Sequence, residues 1–462
     1  MKRYAYSLAR ALQNLLKNRE EALPPSLLQA YVQSMLGKRD FLLESATRFG
    51  TPQYVFDEPA LAKSLSRFHD VFSKHLDRFH VFYAVKSNSY PGLCKYVTDR
   101  GHGLDVSSGQ ELSMALSLGC RRILFSGPGK TDPELTLAIR NRDRVILLTD
   151  SAGELERVSR LVQDLDMGNV PLKLGFRLTG RHHGSWGKFG VPPEQLGALF
   201  SKALSVNSLD PQGIQFHTSW NMGPEAQVKM IETVGECIRG LPEGTRSRLK
   251  FFDIGGGYWP ERGEWLNPEN TWRGRLVQVL DPEFRFKPRH HYCPAKSLDE
   301  FAREISRAIQ SQGKPLADLE IFMEPGRWLS TPAMHVLVKV IDKKEATVVI
   351  VDGGINLLGW ERPLSEFIPL LNLTRPSQQE FPLRVFGPLC TPLDIWGTTL
   401  FGEGIEKGDV LLIPDQGSYT YSLRQSFIKP IARIVRFDGA SLSEDHPEQT
   451  FEYKSNHSVY TG

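Results

Sequence analysis

The sequence has few cysteines and no long apolar run. Its 462 residues contain five cysteines, and no two of them form a Cys-x-x-Cys pair. This pattern favours a reducing, cytoplasmic environment over a disulfide framework or a zinc ribbon. A membrane-spanning helix needs ~20 predominantly apolar residues. Because no stretch approaches that length, the sequence predicts no membrane segment.

The sequence also lacks an excess of charge of one sign. Lysine and arginine total 56 and aspartate and glutamate total 53, so that the formal net charge is +3. Nucleic-acid-binding proteins typically carry a basic patch or stripe, and we therefore expect no nucleic acid as the main partner. Histidine pairs occur at 182–183 and 290–291 without the spacing of a zinc site. The sequence predicts no metal.

What the sequence does contain is a regular alternation of short apolar runs and polar-faced helical segments. Eight such runs, each followed by a longer segment, predict an α/β fold with a closed (β/α)8 barrel. The runs are 80–85, 103–106, 122–125, 144–149, 172–177, 213–216, 250–254 and 320–323.

The two ends of the chain have other patterns. Leucines at helical spacing predict a helical N-terminal extension over residues 1–48. After residue 330, β-branched runs separated by turn residues predict a second, β-rich domain. The expected organisation is therefore an extension (1–48), a barrel (49–330) and a C-terminal β domain (331–462).

The candidate chemistry starts at Lys86, which follows the apolar run at 82–85. A lysine at the end of a buried strand loses hydration, and this loss lowers its pKa and favours the neutral amine. A neutral amine forms a Schiff base with an aldehyde cofactor. A lysine that only leaves the core and reaches water would give the same local pattern.

The other predicted strands also end in polar residues or glycines. In a βα barrel the active site lies at these carboxyl ends. Asp105 and His217 lie there, and the glycines 255–257 let backbone N–H groups approach an anion. A cofactor that carries an aldehyde for Lys86 and a phosphate for the glycines would be pyridoxal 5′-phosphate. Glu324 could then pair with its pyridine nitrogen. His217 is either a ring-stacking residue or an ordinary buried histidine.

Together these motifs resemble those of the fold-type III pyridoxal-phosphate decarboxylases, which include diaminopimelate and ornithine decarboxylases. The resemblance runs from about Gly50 to about Phe427. The motifs are YAVKSN (83–88), GLDVSS (103–108), KFG (188–190), GGG (255–257), EPGR (324–327), GPLC (387–390) with Asp394, and GSY (417–419).

The resemblance implies a role for each matching residue. Lys86 would hold pyridoxal 5′-phosphate covalently, and Glu324 would bind its ring nitrogen. The remaining cofactor-binding residues would be Asp105, His217, Gly256, Gly257, Gly326, Arg327 and Tyr419. The substrate-binding residues would be Arg327, Arg362, Glu366, Thr391 and Asp394.

The resemblance also implies a head-to-tail homodimer, in which the β domain of one chain completes the barrel site of the other. Cys390 would then come from the partner chain and act near the α-carbon. Loss of CO2 leaves a carbanion at this carbon, and a thiol can supply the proton that it needs.

Three sites depart from the pattern of diaminopimelate decarboxylases where the far end of the substrate would lie. Thr391 replaces a glutamate, Glu366 replaces a tyrosine, and Thr218-Ser219 replaces the Gly-Ser pair that follows the histidine. The expected activity is therefore α-decarboxylation of another amino acid, free, conjugated or carrier-bound. The loop around Cys390 is similar to that of decarboxylases in specialised metabolism such as siderophore or antibiotic synthesis.

Three alternatives stay open at this point. The first is meso-diaminopimelate decarboxylation for lysine synthesis. The second is an amino-acid racemase on the same barrel, which Glu324 and Cys390 disfavour because such racemases use an arginine and a tyrosine at these roles. The third is a cofactor-carrying module without catalysis, which the β-rich domain disfavours.

Overall fold

The computed structural model describes residues 12, 21–165, 170–179, 187–282, 284, 289–314, 316–359 and 366–446. The helices in this part of the chain are α1 (Pro25–Leu36), α2 (Arg39–Phe49), α3 (Glu58–Ser73), α4 (Pro91–Asp99), α5 (Gly109–Ser117), α6 (Asp132–Arg140), α7 (Ala152–Asp164), α8 (Leu196–Leu204), α9 (Glu225–Gly240), α10 (Glu243–Arg246), α11 (Trp272–Leu280), α12 (Leu298–Ser311) and α13 (Arg327–Ser330).

The strands follow the same chain order. Those up to residue 323 are β1 (Glu21–Ala22), β2 (Gln53–Asp57), β3 (Phe79–Ala84), β4 (Gly103–Val106), β5 (Ile123–Phe125), β6 (Val145–Thr149), β7 (Leu172–Leu178), β8 (Leu209–Phe216), β9 (Phe251–Asp253), β10 (Glu264–Leu266), β11 (His291–Cys293) and β12 (Glu320–Met323). Those beyond it are β13 (Met334–Glu345), β14 (Val348–Val351), β15 (Leu371–Asn372), β16 (Glu380–Phe386), β17 (Ile395–Phe401), β18 (Val410–Ile413), β19 (Arg433–Phe437) and β20 (Leu442–His446).

Eight parallel strands close into a barrel in the order β12-β3-β4-β5-β6-β7-β8-β9. Each strand overlaps one of the eight apolar runs, so the prediction of a (β/α)8 barrel is confirmed. The sixth strand, β8, begins at Leu209, four residues before its predicted start. Pro211 lies in this early part, where the pairing with β7 shifts by one residue. A proline in a strand is tolerated at such a bulge, but it hides the strand in the sequence.

Serines begin several of the helices that cover the barrel. Ser108, Ser151 and Ser297 lie at the N-caps of α5, α7 and α12, and each side chain accepts a hydrogen bond from a backbone N–H of the first turn. These caps satisfy donors that would otherwise have no intrahelical acceptor. They fix where each helix starts after the loop at the barrel mouth.

Aromatic side chains fill the inside of the barrel. The rings of Phe251 and Phe322 are stacked with centroids 4.6 Å apart, and Phe82 and Leu124 belong to the same buried cluster. Gly213 leaves the space for this packing, because a Cβ atom there would lie 1.9 Å from Cζ of Phe251. These side chains fill the barrel interior. The site residues lie above them, at the mouth that the carboxyl ends of the strands form.

The second domain is built on a nine-stranded sheet in the order β14-β16-β17-β15-β18-β13-β2-β19-β20. This sheet confirms the predicted β-rich fold. Strand β2 lies within residues 49–330, which the sequence assigns to the barrel, yet it pairs with β13 and β19 of this sheet. The two parts of the chain are therefore connected by shared pairing, and the domain limits stay a prediction.

Helices α1 and α2 pack on this second sheet. Val32, Met35 and Leu42 from the helices share a buried cluster with Val55 and Leu412 of the sheet. The short strand β1 pairs with β11, which in turn pairs with β10. The described residues between 21 and 48 thus form one short strand and two helices, and the extension over residues 1–48 stays a prediction.

Replacing Gly213 with alanine is expected to lower the free energy of unfolding by about 1–3 kcal/mol, because the added methyl group collides with the Phe251 ring. Urea unfolding measures the change. Gly240→Ala is the matched control, because a Cβ atom at Gly240 meets nothing within 4 Å. Equal stabilities of the two variants would contradict the packing described for the barrel interior.

Candidate active site

The carboxyl ends of the barrel strands bring Lys86, Asp105 and Glu324 to one mouth. Lys86 lies in a short 3-10 turn, Val85–Ser87, directly after β3. Its Nζ donates a hydrogen bond of 2.7 Å to Oδ2 of Asp105 on β4. Asp105 is fully buried, whereas about a third of the Lys86 side chain, 34%, is exposed. The amine therefore lies at the boundary between the buried carboxylate and the open mouth.

The charges around Lys86 correct the expectation of a neutral amine. Burial lowers the pKa of Lys86, but the carboxylates of Asp105 and Glu324 outweigh it, so that the net shift is upward. Burial, and then the charge of Glu324, raise the pKa of Asp105 to about 6. The expectation was wrong because the sequence alone does not show how many carboxylates surround the amine.

Glu324 is held as an anion by two neighbours. Nε2 of Gln215 donates a hydrogen bond of 3.1 Å to Oε1 of Glu324, and Nδ1 of His217 lies 3.3 Å from Oε2. Burial raises the pKa of Glu324, but His217 and Lys86 lower it by more, so that the pKa falls to about 2. The ring of His217 is itself nearly buried, and its Nε2 lies 3.1 Å from Oγ of Ser219.

The three glycines after β9 form a loop without side chains beside Glu324. Gly255 and Gly257 have φ angles of +65° and +87°. A Cβ atom at Gly256 would lie 2.1 Å from the carbonyl oxygen of Glu324. Only glycine fits these positions, since the conformation and the close approach both exclude a side chain. The loop thus leaves room for a ligand next to Glu324 and His217.

Arg327 and Tyr419 lie on the Lys86 side of the mouth. The Arg327 guanidinium lies 4.5 Å from the Trp259 ring and 4.8 Å from the Tyr419 ring. The backbone N–H of Tyr419 donates a 2.7 Å hydrogen bond to the carbonyl of Ser87. Gly326 allows the segment before Arg327 to lie against the turn with Lys86, because a Cβ atom at Gly326 would lie 2.9 Å from Cβ of Ser87.

The loop with Cys390 is stabilised by hydrogen bonds to the side chain of Asp394. Asp394 is buried, and its carboxylate accepts hydrogen bonds from the backbone N–H groups of Ile355, at 2.8 Å, and Leu389, at 2.6 Å. Cys390 is exposed, and Oγ1 of Thr391 accepts a hydrogen bond of 3.3 Å from the N–H of Leu393. The loop therefore presents the thiol to the outside of the chain, and the Asp394 carboxylate is occupied by the loop backbone.

The last two predicted substrate residues have different outcomes. Glu366 lines a small cavity together with Arg327, Arg262 and Trp259. Its negative charge contributes to the raised pKa of Arg262, where burial acts in the opposite direction. Arg362, like His182 and His183, lies outside the described residues.

Asp253 is a site residue that the sequence reasoning missed. It is fully buried at the end of β9, and Oδ1 accepts a 2.9 Å hydrogen bond from the N–H of Gly255. Its other oxygen, Oδ2, is buried without a hydrogen-bond donor among the described residues. Burial, and then the charge of Glu324, raise the pKa of Asp253 well above its usual range. The available signal was an acid inside an apolar run just before the glycines.

In the described part of the chain, no group of three or more histidine, cysteine, aspartate or glutamate side chains is arranged to hold a metal ion. None of the described helices combines the length and the apolar character that crossing a membrane requires.

The groups at the barrel mouth fit pyridoxal 5′-phosphate. The mouth supplies an amine for its aldehyde, a buried anion for its ring nitrogen, and a glycine loop with an arginine for its phosphate. Residues 62–331 match the family model described as "Pyridoxal-dependent decarboxylase, pyridoxal binding domain".

Similarity to individual proteins extends over most of the chain. A diaminopimelate decarboxylase of Methanothermobacter thermautotrophicus is 27% identical over 83% of this chain and 86% of its own. The structure of the Helicobacter pylori diaminopimelate decarboxylase complexed with L-lysine is 22% identical, with a TM-score of 0.71 over 88% of this chain and 97% of its own. A Vibrio vulnificus lysine/ornithine decarboxylase complexed with putrescine is 20% identical, with a TM-score of 0.66 over 87% of this chain and 98% of its own.

The two solved structures share the fold of this chain, and the family model covers more than half of the sequence, including the lysine, glycine-loop and Glu-Pro-Gly-Arg motifs. The chain belongs to the pyridoxal-dependent decarboxylases, which are carboxy-lyases that use pyridoxal 5′-phosphate.

Proposed function

We propose that this decarboxylase removes the α-carboxylate of an amino acid, or of an amino-acid conjugate, whose far end differs from that of diaminopimelate. The observation that carries the assignment of the site is the convergence of Lys86 and the anionic Glu324 at one barrel mouth. When bound, the cofactor supplies a conjugated ring that delocalises the electron pair left on the α-carbon when CO2 departs. Glu324, as an anion, would hold a proton at the ring nitrogen and keep the ring electron-poor.

Asp105 is proposed to take the proton that Lys86 must lose before it attaches the cofactor. The hydrogen bond from Nζ of Lys86 to Oδ2 of Asp105 measures 2.7 Å and gives the path. The pKa of Asp105 is raised to about 6 by burial and by the charge of Glu324, whereas the pKa of Lys86 is higher still, so that in the empty pair the proton rests on Lys86. The contact with Asp105 would give this proton an acceptor at hand when Lys86 attaches the cofactor.

Asp253 is proposed to stay neutral and to donate a hydrogen bond from Oδ2 to Glu324. Its main chain pairs in register with Phe322, two residues before Glu324. The charge of Glu324 adds to burial in raising the pKa of Asp253, and two neighbouring buried carboxylates cannot both be ionised without a large cost. A proton shared between them resolves the repulsion and leaves the negative charge on Glu324, where the ring nitrogen needs it.

Cys390 is proposed to act in the site of a partner chain, as the resemblance implies. Its exposure on an internally braced loop supports this role, because the thiol is accessible to a second copy of the chain. In that copy the thiol would deliver a proton to the α-carbon after CO2 leaves. The functional unit would then be a homodimer with shared active sites.

The substrate is proposed from the residues at its far end. Glu366 lies in the cavity lined by Arg327 and Arg262, and Thr391 follows Cys390. Neither residue is the tyrosine or glutamate that the diaminopimelate pattern carries there. This difference supports a specialised substrate, free or carrier-bound, in pathways such as siderophore or antibiotic synthesis.

A second candidate function is meso-diaminopimelate decarboxylation. It is favoured by relatives with that name, which include the M. thermautotrophicus enzyme. Measuring CO2 release from a panel of free, citrate-linked and carrier-linked amino acids separates the two functions. Fastest release from meso-diaminopimelate would replace the specialised substrate with the second candidate.

Changing Lys86 to alanine is expected to remove the absorbance band of covalently bound cofactor and to reduce CO2 release to background, because among the described residues Lys86 is the amine in contact with Asp105. Absorbance after dialysis and a CO2 assay measure the two effects. Lys95→Ala is the matched control, since Lys95 is exposed and forms a surface ion pair with Asp99. A Lys86→Ala protein that retains the band would contradict the assigned role.

Changing Cys390 to alanine is expected to slow decarboxylation by about 10²–10⁴-fold through loss of a proton donor, while cofactor uptake stays intact. Mixing inactive Lys86→Ala chains with Cys390→Ala chains should then restore about a quarter of the full activity, because half of the random dimers carry one complete site. Restoration is measured against each variant alone. If mixing restores nothing, sites shared between chains are ruled out.

Asp253→Asn is expected to change the pH dependence of stability. The folded protein keeps a proton on Asp253 that the unfolded chain releases above about pH 4. The unfolding free energy of the unsubstituted protein should therefore fall relative to Asp253→Asn as the pH rises, by up to about 1.4 kcal/mol per pH unit. Urea unfolding without cofactor tests this, with the exposed Asp143→Asn as control. Parallel pH profiles would mean that Asp253 is ionised.

A further inference from the structure

Helix α1 of the N-terminal extension reaches the loop that carries Tyr419. The hydroxyl of Tyr31 donates a 2.9 Å hydrogen bond to Oδ2 of Asp415, four residues before Tyr419. Nη1 of Arg262 donates a 3.1 Å hydrogen bond to the same oxygen. The Arg262 guanidinium lies between two rings, 4.9 Å from that of Tyr31 and 5.1 Å from that of Trp265. The Asp415 carboxylate is thus held jointly by the extension and by the barrel domain.

A second path leads from the extension to the backbone of Asp415. The N–H of Asp415 donates a 3.1 Å hydrogen bond to Nδ1 of the fully buried His335. The other nitrogen, Nε2, lies 3.1 Å from Nζ of Lys38 and 3.6 Å from Oδ2 of Asp57, and this carboxylate accepts a 2.6 Å hydrogen bond from Lys38. Burial, and then the charge of Lys38, lower the pKa of His335. His335 therefore accepts a hydrogen bond from the Asp415 N–H and contacts Lys38 of the extension with its other nitrogen.

The loop between Asp415 and Tyr419 needs such external support. Both residues have left-handed backbone conformations, with φ angles of 55° and 54°. These conformations are unfavourable for residues with side chains and persist only where neighbouring contacts fix them. At its far end, the loop is fixed by the Tyr419 N–H to the Ser87 carbonyl at 2.7 Å, beside Lys86. Between its ends, the N–H groups of Gln416 and Gly417 donate hydrogen bonds of 2.6 Å and 3.1 Å to the carbonyls of Met334 and Thr331. The contacts of Asp415 with the extension and of Tyr419 with the turn at Lys86 add to these bonds at the two ends of the loop.

We propose that Tyr31 is a positioning residue for the phosphate end of the cofactor: through Asp415 it fixes the loop that orients Tyr419. This inference rests on the proposed assignment of Tyr419 to the phosphate. It gives the N-terminal extension a part in cofactor binding. The effect is specific to the phosphate, because Lys86 and Glu324 hold the other parts of the cofactor.

The test compares the binding of pyridoxal 5′-phosphate and of pyridoxal, which lacks the phosphate, to the cofactor-free protein. Tyr31→Phe keeps the ring contacts with Arg262 and Trp265 and removes only the hydroxyl. We expect it to weaken pyridoxal 5′-phosphate binding by about threefold to tenfold, the range of one hydrogen bond, and to leave pyridoxal binding unchanged. The ratio of the two dissociation constants is the readout, since a general loss of stability would weaken both ligands.

Tyr292→Phe is the matched control. Its hydroxyl also contacts the N-terminal segment, at Oε2 of Glu21 over 3.3 Å, but Glu21 has no described contact with Asp415. We expect the unsubstituted ratio for this variant. An unchanged ratio in Tyr31→Phe, or an equal change in Tyr292→Phe, would overturn the inference.

Asp415→Asn provides a second route if Tyr31→Phe does not fold. It keeps the backbone N–H to His335 and removes the charge that Tyr31 and Arg262 share, so the same ratio should change. In a double-mutant cycle, the effects of Tyr31→Phe and Asp415→Asn should be less than additive, because both break one interaction. Additive effects would mean that Tyr31 acts by another path.

Failure of this inference and failure of the proposed site give different results. If the unsubstituted protein binds pyridoxal 5′-phosphate no better than pyridoxal, the phosphate site with Arg327 and Tyr419 is wrong. If it binds pyridoxal 5′-phosphate better and Tyr31→Phe keeps the full preference, the site stands and only the role of Tyr31 is rejected.

Discussion

The structure depends on how one amine balances three buried carboxylates. Lys86 contacts Asp105 directly, and Glu324 and Asp253 lie beneath the same mouth. Ionising all three acids in a buried site with one lysine would cost several kcal/mol. The surroundings therefore give each acid a different pKa: Glu324 is held ionised by His217, Asp253 is pushed towards the neutral form, and Asp105 lies between them at about 6. Under the proposed assignment, this division would supply an anion for the ring nitrogen and a proton acceptor for the amine.

The rest of the fold serves this arrangement. Parallel barrel strands deliver the charged groups to one end, and the aromatic rings around Phe251 close the barrel beneath them. The glycines after β9 keep the backbone close to Glu324 without a side chain in between. The second sheet contributes the loop with Tyr419, and the N-terminal helices hold that loop from outside through Asp415. Residues far apart in the sequence thus determine the shape of one ligand site.

The sequence predicted the barrel well, because each strand is a short apolar run and because barrel chemistry lies at strand ends. It also pointed to Lys86, Asp105, His217 and Glu324, which the structure brings together. It did not show that β2 pairs in the second sheet, since a short apolar strand carries no signal of its partner. It gave the wrong direction for the Lys86 pKa, because that direction depends on neighbours from other strands. The link from Tyr31 to Asp415 spans 384 residues and has no local signature.

Lys86 is proposed to hold the cofactor opposite Glu324. Reducing the loaded protein with borohydride fixes a Schiff-base lysine as a stable amine, and peptide mass spectrometry then identifies the modified residue. We expect a phosphopyridoxyl group on the peptide with Lys86 and none on the buried Lys130, whose Nζ is already bound to Glu154. A modified lysine elsewhere, or no modification at all, would contradict the assignment of Lys86.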